Sequence, residues 1–191
     1  MEIGINSAKS MQESVVSVYE RLWKVVSVHC KLNETAMIIT QSMGYNGFKR
    51  WHRVNARKMF ALRTCLANDL FDKFRIPAEI KDFEISYSPK SMEEHLKSWE
   101  KAVLEAIEET GAINREYFGL TGASCDVAER IIGELTHDFE KIGRYIRRFT
   151  ESEWLTLDMH TVDDRLHDKY KDKEADNPWT RMLSYGLGQR Q

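Results

Sequence analysis

The chain has 191 residues, of which 42% are hydrophobic and 30% are charged, and its formal net charge is −2. This length suffices for one domain with a sizeable core. There is no apolar run of about 18 residues and no signal-peptide pattern at the N-terminus, so we expect no membrane partner. The three cysteines are far apart and have no metal-binding spacing, which predicts free thiols and a cytoplasmic location.

Helical periodicity begins near the N-terminus. Ser10–Glu13 has the form of a capping box, and the apolar residues after it predict a long first helix at about Ser10–Met43. The next residues, Met43-Gly44-Tyr45-Asn46-Gly47-Phe48, predict a tight corner. A second helix follows at about Gly47–Phe74, and Asn46 is a suitable residue to cap it.

A long connector separates this pair of helices from the next pair. Pro77 lies just beyond the end of the second helix. Residues 76–90 are too many for a hairpin loop between antiparallel helices, but they are enough to run the length of a helical bundle. The third helix is predicted from a second capping box at Ser91 to about Phe118, and the fourth from a cap at Ser124 to about Phe149.

Residues 151–191 carry weaker patterns. Thr161-Val162-Asp163-Asp164 predicts the start of a short fifth helix, with Val162, Leu166 and Tyr170 on one side. The tail beyond it is predicted to be flexible. It contains a small apolar cluster that either docks on the other helices or binds a protein partner: Trp179, Met182, Leu183 and Tyr185.

The order of these elements, together with the corner sequence at 43–48, resembles the ferritin family across about residues 12–150. The resemblance implies an all-α fold, namely a ferritin-like antiparallel four-helix bundle with one long crossover between helices 2 and 3. A short C-terminal helix or tail would follow. The implied domain division is a bundle at 1–150 and a C-terminal extension, a short helix plus a flexible tail, at 151–191.

The same resemblance implies a chemistry. Members of the family oxidise ferrous iron at a di-iron centre inside each bundle, and they usually assemble into hollow shells that store the mineral. Iron would therefore be the cofactor, ferroxidase the activity, and a homo-oligomer the assembly. The family places a Glu on the first helix, Glu-x-x-His on the second, a Glu on the third, and Glu or Gln with a further acid or His on the fourth.

Counting from Gly47, these ligand positions are apolar or small in this sequence. The first-helix Glu falls at about Val26 or Ser27, and Glu-x-x-His falls on Met59-Phe60-Ala61-Leu62. The third-helix Glu falls near Ala106. A packed apolar midplane costs less than unpaired buried carboxylates, so the sequence favours a lost or reduced iron site and argues against an enzyme.

Five residues remain as candidate metal ligands. Glu134-Leu135-Thr136-His137 has the spelling of the family's Glu-x-x-His, and Asp138 follows it with an inward position on the fourth helix. His29 and Glu34 are the candidates on the first helix, in a rearranged site that His52 would join. Carboxylates and imidazoles are suitable ligands for iron.

A buried hydrogen-bonded network is the alternative interpretation of the inward polar residues. Because the first two helices run antiparallel about the corner, Asn33 and Asn55 are expected to meet, with His29 and His52 nearby. Under this interpretation the polar residues stabilise the core and bind no metal.

The outer face of the second helix is basic. Arg50, Arg53, Arg57 and Lys58 lie on it, and such a face can contact phosphate backbones or a protein partner. The net charge of the whole chain is slightly negative, so we do not expect nucleic acid to be the main partner. A solvated helix face has the same pattern.

Three functions fit these observations. The first is a divergent ferritin-like protein with a lost or reduced di-iron site, acting as a structural, assembly or interaction subunit. The second is a functional ferritin that oxidises and stores iron. The third is a helical module that binds nucleic acid or protein through the basic face of helix 2.

Overall fold

The computed structural model describes residues 2–77, 83–150 and 157–175, with side chains described over 10–77, 83–146 and 159–171. All the regular elements in these ranges are helices, which confirms the all-α part of the predicted fold class. There are five helices in chain order: α1 (Glu2–Ser42), α2 (Asn46–Phe74), α3 (Met92–Thr121), α4 (Asp126–Thr150) and α5 (Leu157–Ala175). None of the described helices is both long and apolar enough to cross a membrane. The predicted cluster at Trp179–Tyr185 lies outside the described residues.

The N-terminal ends of two helices differ from the sequence prediction. α1 begins at Glu2, so Ser10 lies inside the helix, where its carbonyl accepts a hydrogen bond from the Ser14 hydroxyl at 3.0 Å. α5 begins before Thr161, at Leu157. The capping box at Ser91 is confirmed, because the Ser91 hydroxyl accepts from the Glu94 amide at 3.2 Å. A capping pattern inside a continuous helix is only a coincidence of residue types.

The corner between α1 and α2 uses its first glycine to end a helix. Gly44 has a φ of +87°, which side chains with a Cβ rarely adopt. The Tyr45 amide donates to the Thr40 carbonyl at 2.9 Å and the Gly44 amide donates to Gln41 at 3.0 Å. This pair of bonds is the Schellman arrangement that terminates helices at glycine.

Ring contacts at opposite ends of the molecule establish the helix directions. Near the corner, His95 at the start of α3 contacts His52 near the start of α2. At the far end, Tyr19 of α1 contacts both Phe74 at the end of α2 and Tyr117 near the end of α3. α2 and α3 are therefore parallel, and α1 is antiparallel to both. The described part of the connector, residues 83–90, contacts α1, where the Lys31 ammonium donates to the Phe83 carbonyl at 2.7 Å.

α5 packs against the start of α2 and shares its core. Val162, Leu166 and Tyr170 are buried in the same apolar cluster as α1 to α4, as their predicted common face requires. The Asp163 carboxylate accepts a hydrogen bond from the Phe48 amide at 2.9 Å, so a side chain of α5 satisfies the N-terminus of α2.

The prediction that Asn46 caps α2 is wrong. Asn46 is already the first helical residue of α2, so the cap position is Tyr45. The Tyr45 side chain makes no capping hydrogen bond. Gly47 has a different role from Gly44. A Cβ built on Gly47 would lie 1.9 Å from the Asp163 carbonyl oxygen, so only glycine permits α5 to approach this closely.

Candidate functional site

The midplane positions at which the ferritin resemblance predicts iron ligands are buried and mostly apolar. Val26, Met59 and Leu62 are at most 2% exposed, and Ala106 is buried beside them. Ser27 is also buried, and its hydroxyl has no hydrogen-bond partner among the described residues. These positions supply no carboxylate or imidazole, which agrees with the packed midplane that the sequence predicts.

A group of buried polar side chains from the first three helices lies closer to the corner. His52 is in the second turn of α2, His95 is in the first turn of α3, and Asn33 faces them from α1. The Nε2 atoms of His52 and His95 are 3.0 Å apart, and His52 Nδ1 is 3.2 Å from Asn33 Oδ1. Tyr87 of the connector places its hydroxyl 2.8 Å from His95 Nδ1. Four side chains thus form one continuous chain of hydrogen bonds.

The direction of this chain follows from its end at α1. The Asn33 Nδ2 atom donates to the His29 carbonyl at 2.9 Å, so Asn33 Oδ1 faces His52 and accepts from it. A neutral imidazole has one donor and one acceptor nitrogen. His52 Nδ1 therefore donates, His52 Nε2 accepts from His95 Nε2, and His95 Nδ1 accepts from the Tyr87 hydroxyl. Each histidine is held in a single neutral tautomer.

Burial keeps these histidines uncharged. It lowers the pKa of His29 and of His95 from 6.5 to about 4. It lowers the pKa of His52 well below 6.5, and the neighbouring imidazoles of His95 and His29 add to this effect. Desolvation disfavours the charged form of a group that loses contact with water. At neutral pH the chain is therefore a neutral network, and both ring nitrogens of His52 and His95 are engaged.

Aromatic side chains enclose the network. Trp99 packs against the rings of His52 at 4.4 Å and His29 at 5.4 Å, and Trp51 lies 4.8 Å from His52, measured between ring centroids. The His29 Nε2 atom and both indole Nε1 atoms are buried without a hydrogen-bond partner among the described residues. Unpaired polar atoms in an apolar enclosure weaken the core.

A second polar cluster joins α2, α4 and α5. The Asn55 amide donates to Asp138 Oδ2 at 2.6 Å, and Asp138 is 1% exposed. Burial raises the pKa of Asp138 to about 6, against the opposing effect of the Lys58 and Lys141 ammonium groups. The Lys141 ammonium donates to the Tyr170 hydroxyl at 2.8 Å. The prediction that Asn55 contacts Asn33 is wrong, because the two amides belong to different clusters.

The predicted metal ligands are placed apart or are already paired. Glu134 forms an ion pair with Lys58 at 2.5 Å, and Asp138 accepts from Asn55. His137 and Glu34 are exposed, whereas His29 is buried against Trp99. Across the described ranges, no group of three or more His, Cys, Asp and Glu side chains is arranged to hold a metal ion.

The predicted basic face of α2 is only partly solvent-exposed. Arg50, Arg53, Arg57 and Lys58 are all half-buried. Lys58 pairs with Glu134, and the three arginines also have interactions within the chain. The face is thus partly used for packing the helices.

Sequence reasoning missed two members of the hydrogen-bonded chain. His95 lies three residues after Met92 and four before Trp99, so helical spacing alone places it on the buried face. Tyr87 belongs to the alternating positions Phe83, Ile85 and Tyr87 of the connector, which are half-buried. This alternation indicates an inward position, but it does not identify His95 as the partner. Lys141 was missed as well, since a lysine is rarely buried unless it has a partner.

Comparisons with family models, with curated proteins and with solved structures found no match to this chain.

Proposed function

We propose that this chain is a divergent ferritin-like protein in which an apolar midplane and a neutral histidine network replace the di-iron site. It acts as a structural, assembly or interaction subunit. The observation that carries the proposal is the identity of the midplane residues Val26, Met59, Leu62 and Ala106, which have no carboxylate or imidazole and are buried. A di-iron centre needs carboxylates and imidazoles from all four helices at this level.

The helix arrangement supports the ferritin-like part of the proposal. α2 and α3 are parallel and α1 is antiparallel to both, which is the course that a single long crossover produces. α4 is antiparallel to α2, because Asn55 meets Asp138 and Phe48 meets Tyr145.

The hydrogen-bonding state of the network supports the loss of iron chemistry. The ring nitrogens of His52 and His95 are already used in hydrogen bonds to other side chains. Binding a metal there would break two of these bonds in a water-excluded core. Exposed apolar side chains such as Ile38 and Phe118, which are 64% and 56% exposed, support a role in contacts with other chains.

Aerobic addition of ferrous iron to the purified full-length chain tests the proposal. We expect ferric absorbance to rise no faster than in a protein-free control, and bound metal to stay well below about two irons per chain. Catalysed oxidation that is lost in Glu134→Gln and retained in Glu93→Gln would instead establish the functional ferritin and overturn the proposal.

The mass in solution tests the assembly role separately. Light scattering on the purified chain should give a multiple of the monomer mass if the chain forms an assembly. A stable monomer at micromolar concentration would contradict the assembly subunit, and it would leave only a role in binding other proteins.

A further inference from the structure

A cleft between α4 and α5 gathers positive charge from both helices. Lys141 and Arg144 of α4 line one side, and Arg165 and Lys169 of α5 line the other. No acidic side chain is among the described residues that line it. Four cations from two facing helices repel one another across the cleft, and a bound anion would offset that repulsion.

The rest of the lining is apolar. Tyr145, Val162 and Leu166 form the floor of the cleft. Its volume is about 180 Å³, several times the roughly 30 Å³ that a water molecule occupies. It is smaller than the roughly 300–1,000 Å³ of sites for drug-sized ligands. The space is large enough for a phosphate group with a small organic part.

The four cations differ in how they are held. Lys141 is 7% exposed, and its ammonium donates to the Tyr170 hydroxyl at the inner end of the cleft. Arg144, Arg165 and Lys169 are exposed at the rim. The Arg144 Nε atom donates to the Glu140 carbonyl of its own helix at 3.2 Å. Guanidinium groups bind phosphate oxygens with two parallel hydrogen bonds.

From this geometry we infer that the cleft between α4 and α5 binds a small phosphorylated molecule. The rim arginines and Lys169 contact the phosphate, and the organic part covers Val162 and Leu166. The ligand bridges two helices, so binding also holds α5 on α4. This site is independent of the histidine network and of the absence or presence of iron.

Calorimetry on the full-length chain with inorganic phosphate and with glycerol phosphate tests the inference, at constant ionic strength. We expect saturable binding of one molecule per chain, tighter for glycerol phosphate. The double variant Arg144→Gln/Arg165→Gln should bind at least about tenfold more weakly, because two charge-assisted contacts are lost. Both side chains are exposed, so the variant is expected to fold, and circular dichroism checks this.

The matched control is Lys97→Gln/Lys101→Gln, which removes the same charge from the exposed face of α3. We expect its affinity for glycerol phosphate to stay within about twofold of the unmodified chain. Equal weakening in both double variants would mean that net charge alone attracts the anion, which would overturn the site. Binding of a single-stranded oligonucleotide without binding of either phosphate would overturn it too. If the double arginine variant misfolds, the single variant Lys169→Gln is tested in its place. Its affinity for glycerol phosphate should be about threefold weaker.

Discussion

The two halves of α2 have different interiors. From Gly47 to Asn55 the buried face carries His52, Asn55 and two large aromatic rings, and it meets α5 and the start of α3. From Met59 to Leu70 the buried face is apolar throughout. The helix thus separates a polar, hydrogen-bonded end near the corner from an apolar end that packs by shape alone.

This difference shows at which level of the helices polar groups can be buried with hydrogen-bond partners. Near the corner, α1, the connector and α3 bring side chains with hydrogen-bonding atoms to the same level, so the imidazoles of His52 and His95 find partners. At the midplane the facing helices offer Val26, Ala106 and Ser27, whose hydroxyl has no partner among the described residues. A buried polar group without partners costs about 1–3 kcal/mol, so the buried residues of α2 at that level are apolar.

Acidic pH should destabilise the polar end most strongly. Below pH 6.5 the unfolded chain protonates His29 and His95, whereas the folded chain resists until their pKa of about 4. The free energy of unfolding should therefore fall as the pH drops from 6.5 to 4, by about 3 kcal/mol for each histidine. Urea unfolding at pH 7 and at pH 4.5 measures the loss.

Asp138 has the opposite effect on the free energy of unfolding at acidic pH, so it provides the control. Its folded carboxyl takes up a proton near pH 6 but its unfolded carboxyl only near 3.8, so it adds stability as the pH falls between those values. Asp138→Asn should make the loss of stability between pH 7 and pH 4.5 larger by about 2 kcal/mol. An unchanged slope would show that Asp138 titrates normally in the folded chain.

Gly47→Ala should separate α5 from α2. The new Cβ would meet the backbone of Asp163, which cannot rotate away, so we expect a loss of about 3 kcal/mol or more in the free energy of unfolding. Gly133→Ala is the matched control, since nothing lies within 4 Å of a Cβ there. That change should stabilise α4 by up to about 1 kcal/mol. Equal effects at the two glycines would contradict the close approach of α5.

His52→Leu should cost about 2–3 kcal/mol, because it leaves Asn33 Oδ1 and His95 Nε2 buried without their partner. In the apolar half of α2, Leu66→Met keeps volume and polarity and should cost less than about 1.5 kcal/mol. Denaturant midpoints at pH 7 compare the two. If His52→Leu were as mild as Leu66→Met, the hydrogen-bonded chain would contribute nothing to the polar end.

The smallest effect is expected at the boundary between the two halves. Lys58→Met removes a half-buried ion pair with Glu134 and should cost about 1 kcal/mol. It should also raise the pKa of Asp138 further, since the Lys58 ammonium lowers it. A titration of the Asp138 carboxyl by NMR detects this shift. Lys97→Met at the exposed pair with Glu93 should change neither quantity by a measurable amount.

Much of the fold could be predicted from the sequence, because helical periodicity is a local signal. The faces that contain Val26, Leu66 and Val103 are buried as their spacing requires. The glycine-rich corner was recognisable too, although the different roles of Gly44 and Gly47 were not. The role of Gly44 depends on its own φ angle. The role of Gly47 depends on the close approach of α5, which lies more than 100 residues later in the chain.

The candidate site was less predictable. His29, His52 and Asn33 were identified as inward polar residues, but their partners His95 and Tyr87 come from other elements. The sequence by itself determined which residues face inward, since that follows from the helical repeat. Only the tertiary structure decided which polar atoms meet, that the network is neutral, and that four cations face one another across α4 and α5. Hydrogen bonds and charge pairs depend on distances between atoms remote in sequence, and no periodicity encodes those distances.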